Sequence, residues 1–178
     1  MSFSAKPQMI SIEEYTPTFK STWDELVRAS RNGVFLHLRD YMDYHSDRFT
    51  DASLIARDAK GRAIAALPAC RRPDGVISSH AGLTFGGWLM TPRTDAEAML
   101  EVWSAAFDLW REQGLRQLVY KPSPYIYHSY PAEEDLYALV RYGATVTGSV
   151  ASVVDLREPL GFDMASRQSV RKAEKSGV

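Results

Sequence analysis

The order of elements in this 178-residue chain predicts an α+β fold, an α/β sandwich in which a mixed β-sheet carries helices on both faces. Two observations predict it. Apolar runs separated by the turn-rich stretches Asp58-Ala59-Lys60-Gly61 and Arg72-Pro73-Asp74-Gly75 make a meander of antiparallel strands. Segments of helical period flank that meander, and a strand that follows the longest of them becomes parallel to the strand before it through a right-handed crossover.

Residues 9–15 alternate enough for a first strand. Thr16-Pro17 then opens a helix whose Phe19, Trp23, Leu26 and Val27 share one face, and Asn32-Gly33 stops it. Residues 38–45 form a second helical piece, with Leu38, Tyr41, Met42 and His45 on one stripe. Residues 53–57 and 62–70, and the runs 76–79 and 83–90, read as strands. Thr94-Asp95-Ala96-Glu97 has capping-box spacing and Gly114 closes the helix, whose core face is Met99, Trp103, Ala106 and Trp110. Residues 115–120 form the parallel strand, 121–128 a proline-stiffened loop, and Pro131 opens a helix with Glu133, Glu134 and Asp135 in its first turn, where negative charge suits the helix dipole. Gly143 ends that helix and residues 144–155 are expected to supply a last strand.

The tail differs in kind. Residues 156–161 read as a linker, and 164–177 as a basic helix (Arg167, Arg171, Lys172, Lys175) with only Met164, Ala165, Val170 and Ala173 to bury. So short a helix is marginal without a packing partner. Residues 1–157 are therefore expected to form one domain, and 158–178 the linker and first helix of a truncated second one, mobile or docked on a second copy in a homodimer.

Composition narrows the class. A net charge of −1 excludes the broad basic field that indiscriminate nucleic-acid binding needs. No apolar run approaches the roughly 20 residues of a membrane span, so a cytoplasmic location is the default. The one cysteine, Cys70, cannot form an internal disulfide and ends an apolar strand, where packing is its expected role. His37, His45, His80 and His128 match no zinc spacing, Asp40-Tyr41-Met42-Asp43 is not a calcium loop, and hydrolase-elbow and phosphate-loop motifs are absent, so no metal is predicted.

The stretch 76–90 is the candidate active surface. Gly82, Gly86 and Gly87 either let a ligand lie against bare backbone or mark a bulge or tight sheet crossing. His80 is either a hydrogen-bonded residue at a strand end or a proton-transfer group.

From residue 9 to about 156 the element order resembles the GNAT (N-acetyltransferase) fold. Four stretches add to this: Asn32-Gly33-Val34-Phe35-Leu36-His37; Tyr44-His45-Ser46-Asp47-Arg48-Phe49 with Asp51 and Ser53; Ser79-His80-Ala81-Gly82-Leu83-Thr84-Phe85-Gly86-Gly87; and Tyr120-Lys121 with Pro124, Tyr127-His128 and Pro131. Together they resemble GNAT-like proteins related to the Fem-type peptidyltransferases of bacterial cell-envelope settings. In those proteins two such domains stand in tandem, and the second begins with a basic helix similar to residues 166–178. The resemblance implies an N-acyltransferase that moves an acyl or aminoacyl group to an amine of a cell-envelope or polysaccharide precursor, this chain being the substrate-side half. It also implies an acyl-CoA or aminoacyl donor, aminoacyl-tRNA included.

One departure bears on the donor. Where acyl-CoA users cradle the pyrophosphate in a glycine-rich turn, residues 89–95 contain no glycine, and Pro92 removes a backbone donor. Either this domain binds no cofactor, the preferred reading, or Arg93 meets the phosphates. Transfer to an amine needs a proton acceptor and oxyanion donors. His80 and Tyr125 are the candidate catalytic residues, and Thr84, Phe85, Gly86, Gly87, Lys121, Tyr127, His45 and Arg48 the candidate substrate contacts. Lys121 has the alternative of simple solvation at a strand end, and Arg48 that of pairing with a nearby carboxylate. The competing class is a catalytically silent GNAT-like domain that binds a ligand or serves oligomerisation.

Overall fold

The computed structural model describes residues 10–158 and 160–177; Met9, Pro159 and Val178, which the sequence reading placed in the first strand, the linker and the basic helix, lie outside them. Contacts divide the chain into two units, the first running to Ala144 and the second starting at Thr145.

In the first unit β1 (Ser11–Glu14), α1 (Lys20–Ala29) and α2 (Arg39–Met42) precede β2 (Thr50–Asp51), β3 (Leu54–Arg57), β4 (Ala63–Leu67), β5 (Cys70–Arg71), β6 (Val76–Ser78) and β7 (Leu89–Met90). Then follow α3 (Ala96–Glu112), β8 (Gln117–Val119) and α4 (Glu134–Arg141). The expected mixed sheet is split into two four-stranded sheets, β1-β3-β4-β7 and β2-β5-β6-β8. Pro68 is one cause: it has no N–H to give a ladder, so the strand that reads as continuous from 62 to 70 stops at Leu67 and resumes at Cys70. The partner strand breaks at the same level. β6 pairs antiparallel with β5 and β7 with β4, so β6 and β7 are two halves of one strand, separated by the excursion 79–88.

Strand alternation decides what each face buries. Leu54, Ala56, Ile64, Leu67 and Met90 pack with Met99, Val102, Trp103, Ala106 and Trp110 of α3. Ile55, Ala66 and Leu89 pack with Trp23, Leu26 and Val27 of α1. Helices therefore cover both faces, as the α+β reading requires. Arg31 and Asn32, just past α1, tie the frame together. Asn32 brackets β7 by donating to the Trp88 carbonyl and accepting from Met90 N–H, while Arg31 donates to the Thr94 and Pro131 carbonyls and to Glu134.

Several details correct the sequence reading. The N-cap of α3 is Asp95, whose carboxylate accepts from Ala98 N–H at 2.8 Å, because the Thr94 hydroxyl is turned inward to the Ile64 carbonyl. Only Leu89–Met90 of the run 83–90 is strand. The parallel partner of β8 is β6, not the strand directly before α3. The helix expected to open at Pro131 starts at Glu134. No strand forms over 144–155: Thr145, Val146, Thr147, Val150, Val153 and Val154 have β-favouring side chains, but propensity supplies no partner, and the four valines stay exposed. In the second unit α5 (Met164–Lys175) is capped by Asp163 and has no buried residue. No described helix is long and apolar enough to cross a membrane.

Candidate functional site

The excursion 79–88 leaves the sheet where the two halves of the strand part, and the end of β8 pins it. Ser79 N–H donates to Val119 O, Lys121 N–H to Ser79 Oγ, Gly86 N–H to Lys121 O at 2.8 Å, and Trp88 N–H to the Tyr120 hydroxyl. The glycines are explained by close approach. A Cβ at Gly86 would lie 2.5 Å from the Ser79 carbonyl oxygen, one at Gly82 2.5 Å from the Phe49 ring, and Gly87 has φ +80° beside Tyr120 and Pro122. This favours the tight-crossing reading over bare backbone facing a ligand.

Lys121 is not a solvated ammonium. Its Nζ donates to the His80 carbonyl at 2.9 Å and to the Leu83 carbonyl, and burial lowers its pKa. Lys121→Met is therefore expected to lower stability by about 1–2 kcal/mol, because it removes two charge-assisted bonds that hold the excursion. Urea unfolding checks this, and an unchanged midpoint would mean that the loop needs neither bond.

His80 takes up a strained backbone, φ +48°, the one positive value at a non-glycine among the described residues. It is 6% exposed, and its Nδ1 is buried without a protein partner. Burial lowers its pKa to about 4; Asp51 opposes the shift, and Arg39 and Lys121 add to it. At neutral pH the imidazole is uncharged. Together with Arg39, Asp43, Ser46 and Asp51 it lines a cleft of about 20 Å³ walled by Met42 and Phe49. Arg39 is wholly buried, packs over the rings of Tyr15 (3.3 Å) and Trp23 (4.1 Å), and pairs with Asp51 and, at 3.4 Å, with Asp43.

The other candidates are only partly brought together. Phe85 stacks on Tyr127 (centroids 5.1 Å apart) and meets His37 edge-on, so these two substrate candidates do share a surface. Tyr125 is exposed beside His128, and no hydrogen bond or ring contact joins it to His80. Thr84 is exposed. His45 lies edge-on to Tyr44, and Arg48 is exposed with its nearest carboxylate, Asp47, 4.0 Å away; neither lines the cleft. Ser46, Phe49 and Asp51 stand in one of the stretches singled out in the sequence, but neither Ser46 nor Phe49 was given a role there, and Arg39 and Asp43 were not candidates. The available signal was an arginine one turn before Asp43 in the helix that packs on Trp23. No group of three or more His, Cys, Asp or Glu suited to a metal ion occurs among the described residues.

No family model matches the chain, and no curated protein matches it in sequence. Solved structures do. AAC(6')-Iy, in complex with the bisubstrate analogue CoA-S-monomethyl-acetylneamine, superposes with a TM-score of 0.52 at 20% identity over 83% of this chain and 98% of its own. The fold is GNAT-like. The aminoglycoside 6'-N-acetyltransferase AAC(6')-Ih from Acinetobacter baumannii has a TM-score of 0.44 at 16% identity, covering 86% of this chain and all of its own. The GNAT family N-acetyltransferase YhbS from Escherichia coli, in complex with CoA, has a TM-score of 0.43 at 16% identity, covering 64% of this chain and 63% of its own.

A GNAT-like fold implies acyl-CoA, whose pyrophosphate would sit at the N-terminus of α3. The residues there fit it poorly. Ala98 N–H is taken by the Asp95 carboxylate and Thr94 N–H by Thr91 O, and Pro92 has no N–H, which leaves Ala96 and Glu97 N–H as the first-turn donors. A phosphate would compete with one carboxylate for its donor and lie close to a second, Glu97.

Proposed function

We propose that this chain is the acceptor-binding half of an N-acyltransferase related to the Fem-type peptidyltransferases, and that it presents the amine of a cell-envelope or polysaccharide precursor. The observation that carries the reading is His80: neutral, strained, buried, and beside the carboxylates of Asp43 and Asp51 in the cleft. The carboxylates attract an ammonium group. Once the amine is neutral it donates an N–H to the uncharged imidazole, which leaves its lone pair free for the acyl carbon. In the transfer the N–C bond forms, the bond from acyl carbon to carrier breaks with its electron pair leaving on the carrier, and the surplus proton passes through His80 to water, since an imidazole of pKa about 4 does not keep it.

The donor, acyl-CoA or an aminoacyl carrier, belongs in this reading to a second domain that α5 opens. That assignment rests on the bareness of α5 and on the Asp95 cap of α3. The same cap favours a second reading, a silent GNAT-like ligand-binding or oligomerisation domain.

Calorimetric titration of the full chain with cyclohexylamine and, separately, with acetyl-CoA tests the proposal. The amine is expected to bind, several-fold more weakly in Asp43→Asn, while acetyl-CoA gives no saturable heat. Turnover of acetyl-CoA by this chain alone would overturn the half-enzyme assignment, and failure of the amine to bind would overturn the acceptor site. If the chain supplied with a donor-loaded partner domain binds an amine yet never acylates it, the silent reading holds instead.

A further inference from the structure

Two unmatched features of the chain fit each other. The first is residues 145–156, which alternate as a half-buried strand does: Val146, Val150, Val154 and Leu156 share one face with Gly148 and Ser152, while Thr145, Thr147, Ser149 and Asp155 fall on the other. Val150 is fully exposed and Val146, Val154 and Leu156 are mostly so, a row of branched side chains that water disfavours. The segment forms no strand pairing among the described residues.

The second is the free side of β8. Ser79 N–H donates to the Val119 carbonyl, so Val119 is turned toward β6; successive residues of a strand point their peptide groups to opposite sides, and the N–H and C=O of Leu118 therefore point away from β6. The Leu118 side chain packs on the cluster that holds Trp103 of α3 and Ala138 and Leu139 of α4. A strand laid beyond β8 thus presents one row of side chains to that helical face, where α4 exposes Tyr137 and Val140. Its other row lies with the exposed Val119.

We infer that this border of the sheet is completed by a second copy of the chain: residues 145–156 of each copy add as a strand beside β8 of the other, with Val146, Val150 and Val154 turned to α4 of the receiving copy. Reciprocity selects a second copy over a foreign strand. Each copy carries both the strand and the border, so an exchange between two leaves neither feature unmatched and closes at the dimer, whereas a foreign strand would leave the valine row in water. Because β8 has only three residues, the ladder is short and the dimer comes apart on dilution. The inference does not depend on the amine-acceptor reading.

Light scattering over a dilution series of the unaltered chain, with hydrogen exchange at the two ends of the series, tests it. The mass is expected to fall from dimer toward monomer on dilution, and the Leu118 and Val150 amides to be protected in the dimer alone. Val150→Lys places a charge in the row that faces α4, at a residue wholly exposed in the single chain, so it should weaken the dimer about tenfold or more and leave the urea midpoint of the diluted protein unchanged. A monomer at every concentration whose Leu118 and Val150 amides exchange freely would overturn the inference, since neither feature is then covered. A monomer in which both amides are protected would overturn it in favour of pairing within one chain. A dimer that Val150→Lys leaves intact would overturn it in favour of another surface. Should Val150→Lys fail to fold, the dilution series and amide protection of the unaltered chain decide alone.

Discussion

Trp103→Ala is expected to lower the unfolding free energy by roughly 3–5 kcal/mol, the cost of emptying a large aromatic site whose surroundings only partly collapse. The ring is fully buried and meets Trp88, Phe107, Trp110 and Tyr120 at centroid distances of 5.1 to 6.5 Å. Its Nε1 donates to the Asp135 carbonyl at 3.2 Å, so the substitution also loosens the start of α4. Urea unfolding gives the number, and a loss below about 1 kcal/mol would show that the core does not depend on this face of α3.

Acid should act almost as strongly. His37, like His80, has its pKa lowered to about 4 from 6.5, mainly by burial. Between those values the unfolded chain holds protons that the folded one does not, so the stability these groups contribute is complete above about pH 6.5 and is lost as pH falls toward 4, by on the order of 3 kcal/mol each. Asp135 works the other way. Burial raises its pKa to about 6 from 3.8, against the Tyr120 hydroxyl that donates to it; its contribution is present below 3.8 and is lost as pH rises through 6. Because Asp135 offsets one of the two histidines below pH 6, the net loss from pH 7 to 4 is expected to be roughly 3–4 kcal/mol. Unfolding curves at pH 7, 6, 5 and 4 measure it. His37→Gln should flatten the slope, and a stability that stays level across the range would show that neither imidazole is held neutral.

Helices were legible wherever their residues carried a period or a terminal signal. Trp23, Leu26 and Val27 mark α1, and Trp103, Ala106 and Trp110 mark α3, because a buried stripe must repeat about every 3.6 residues. The excursion was misread as strand because Leu83 and Phe85 are apolar and alternate. What bends it lies elsewhere in the chain: the Lys121 ammonium on two of its carbonyls, the Tyr120 hydroxyl on Trp88 N–H, and the Phe49 ring against Gly82. Arg39 escaped notice for a related reason. Nothing local marks an arginine as buried; its two flanking aromatic rings, Tyr15 and Trp23, are supplied from 24 and 16 residues away. The candidate site is accordingly half legible, with His80 found from its glycine-rich company and the polar wall opposite it found only in the fold.

The terminal position of β8 in its sheet has a consequence for handling. Among the described residues its one strand neighbour is β6, so one row of peptide groups along Gln117–Val119 is left without a strand partner, with Val119 exposed beside it. Such a border invites a matching strand from another molecule. Here it is only three residues long, too short to template an extended ladder, which favours weak, dilution-reversible self-association over fibril growth when the protein is concentrated.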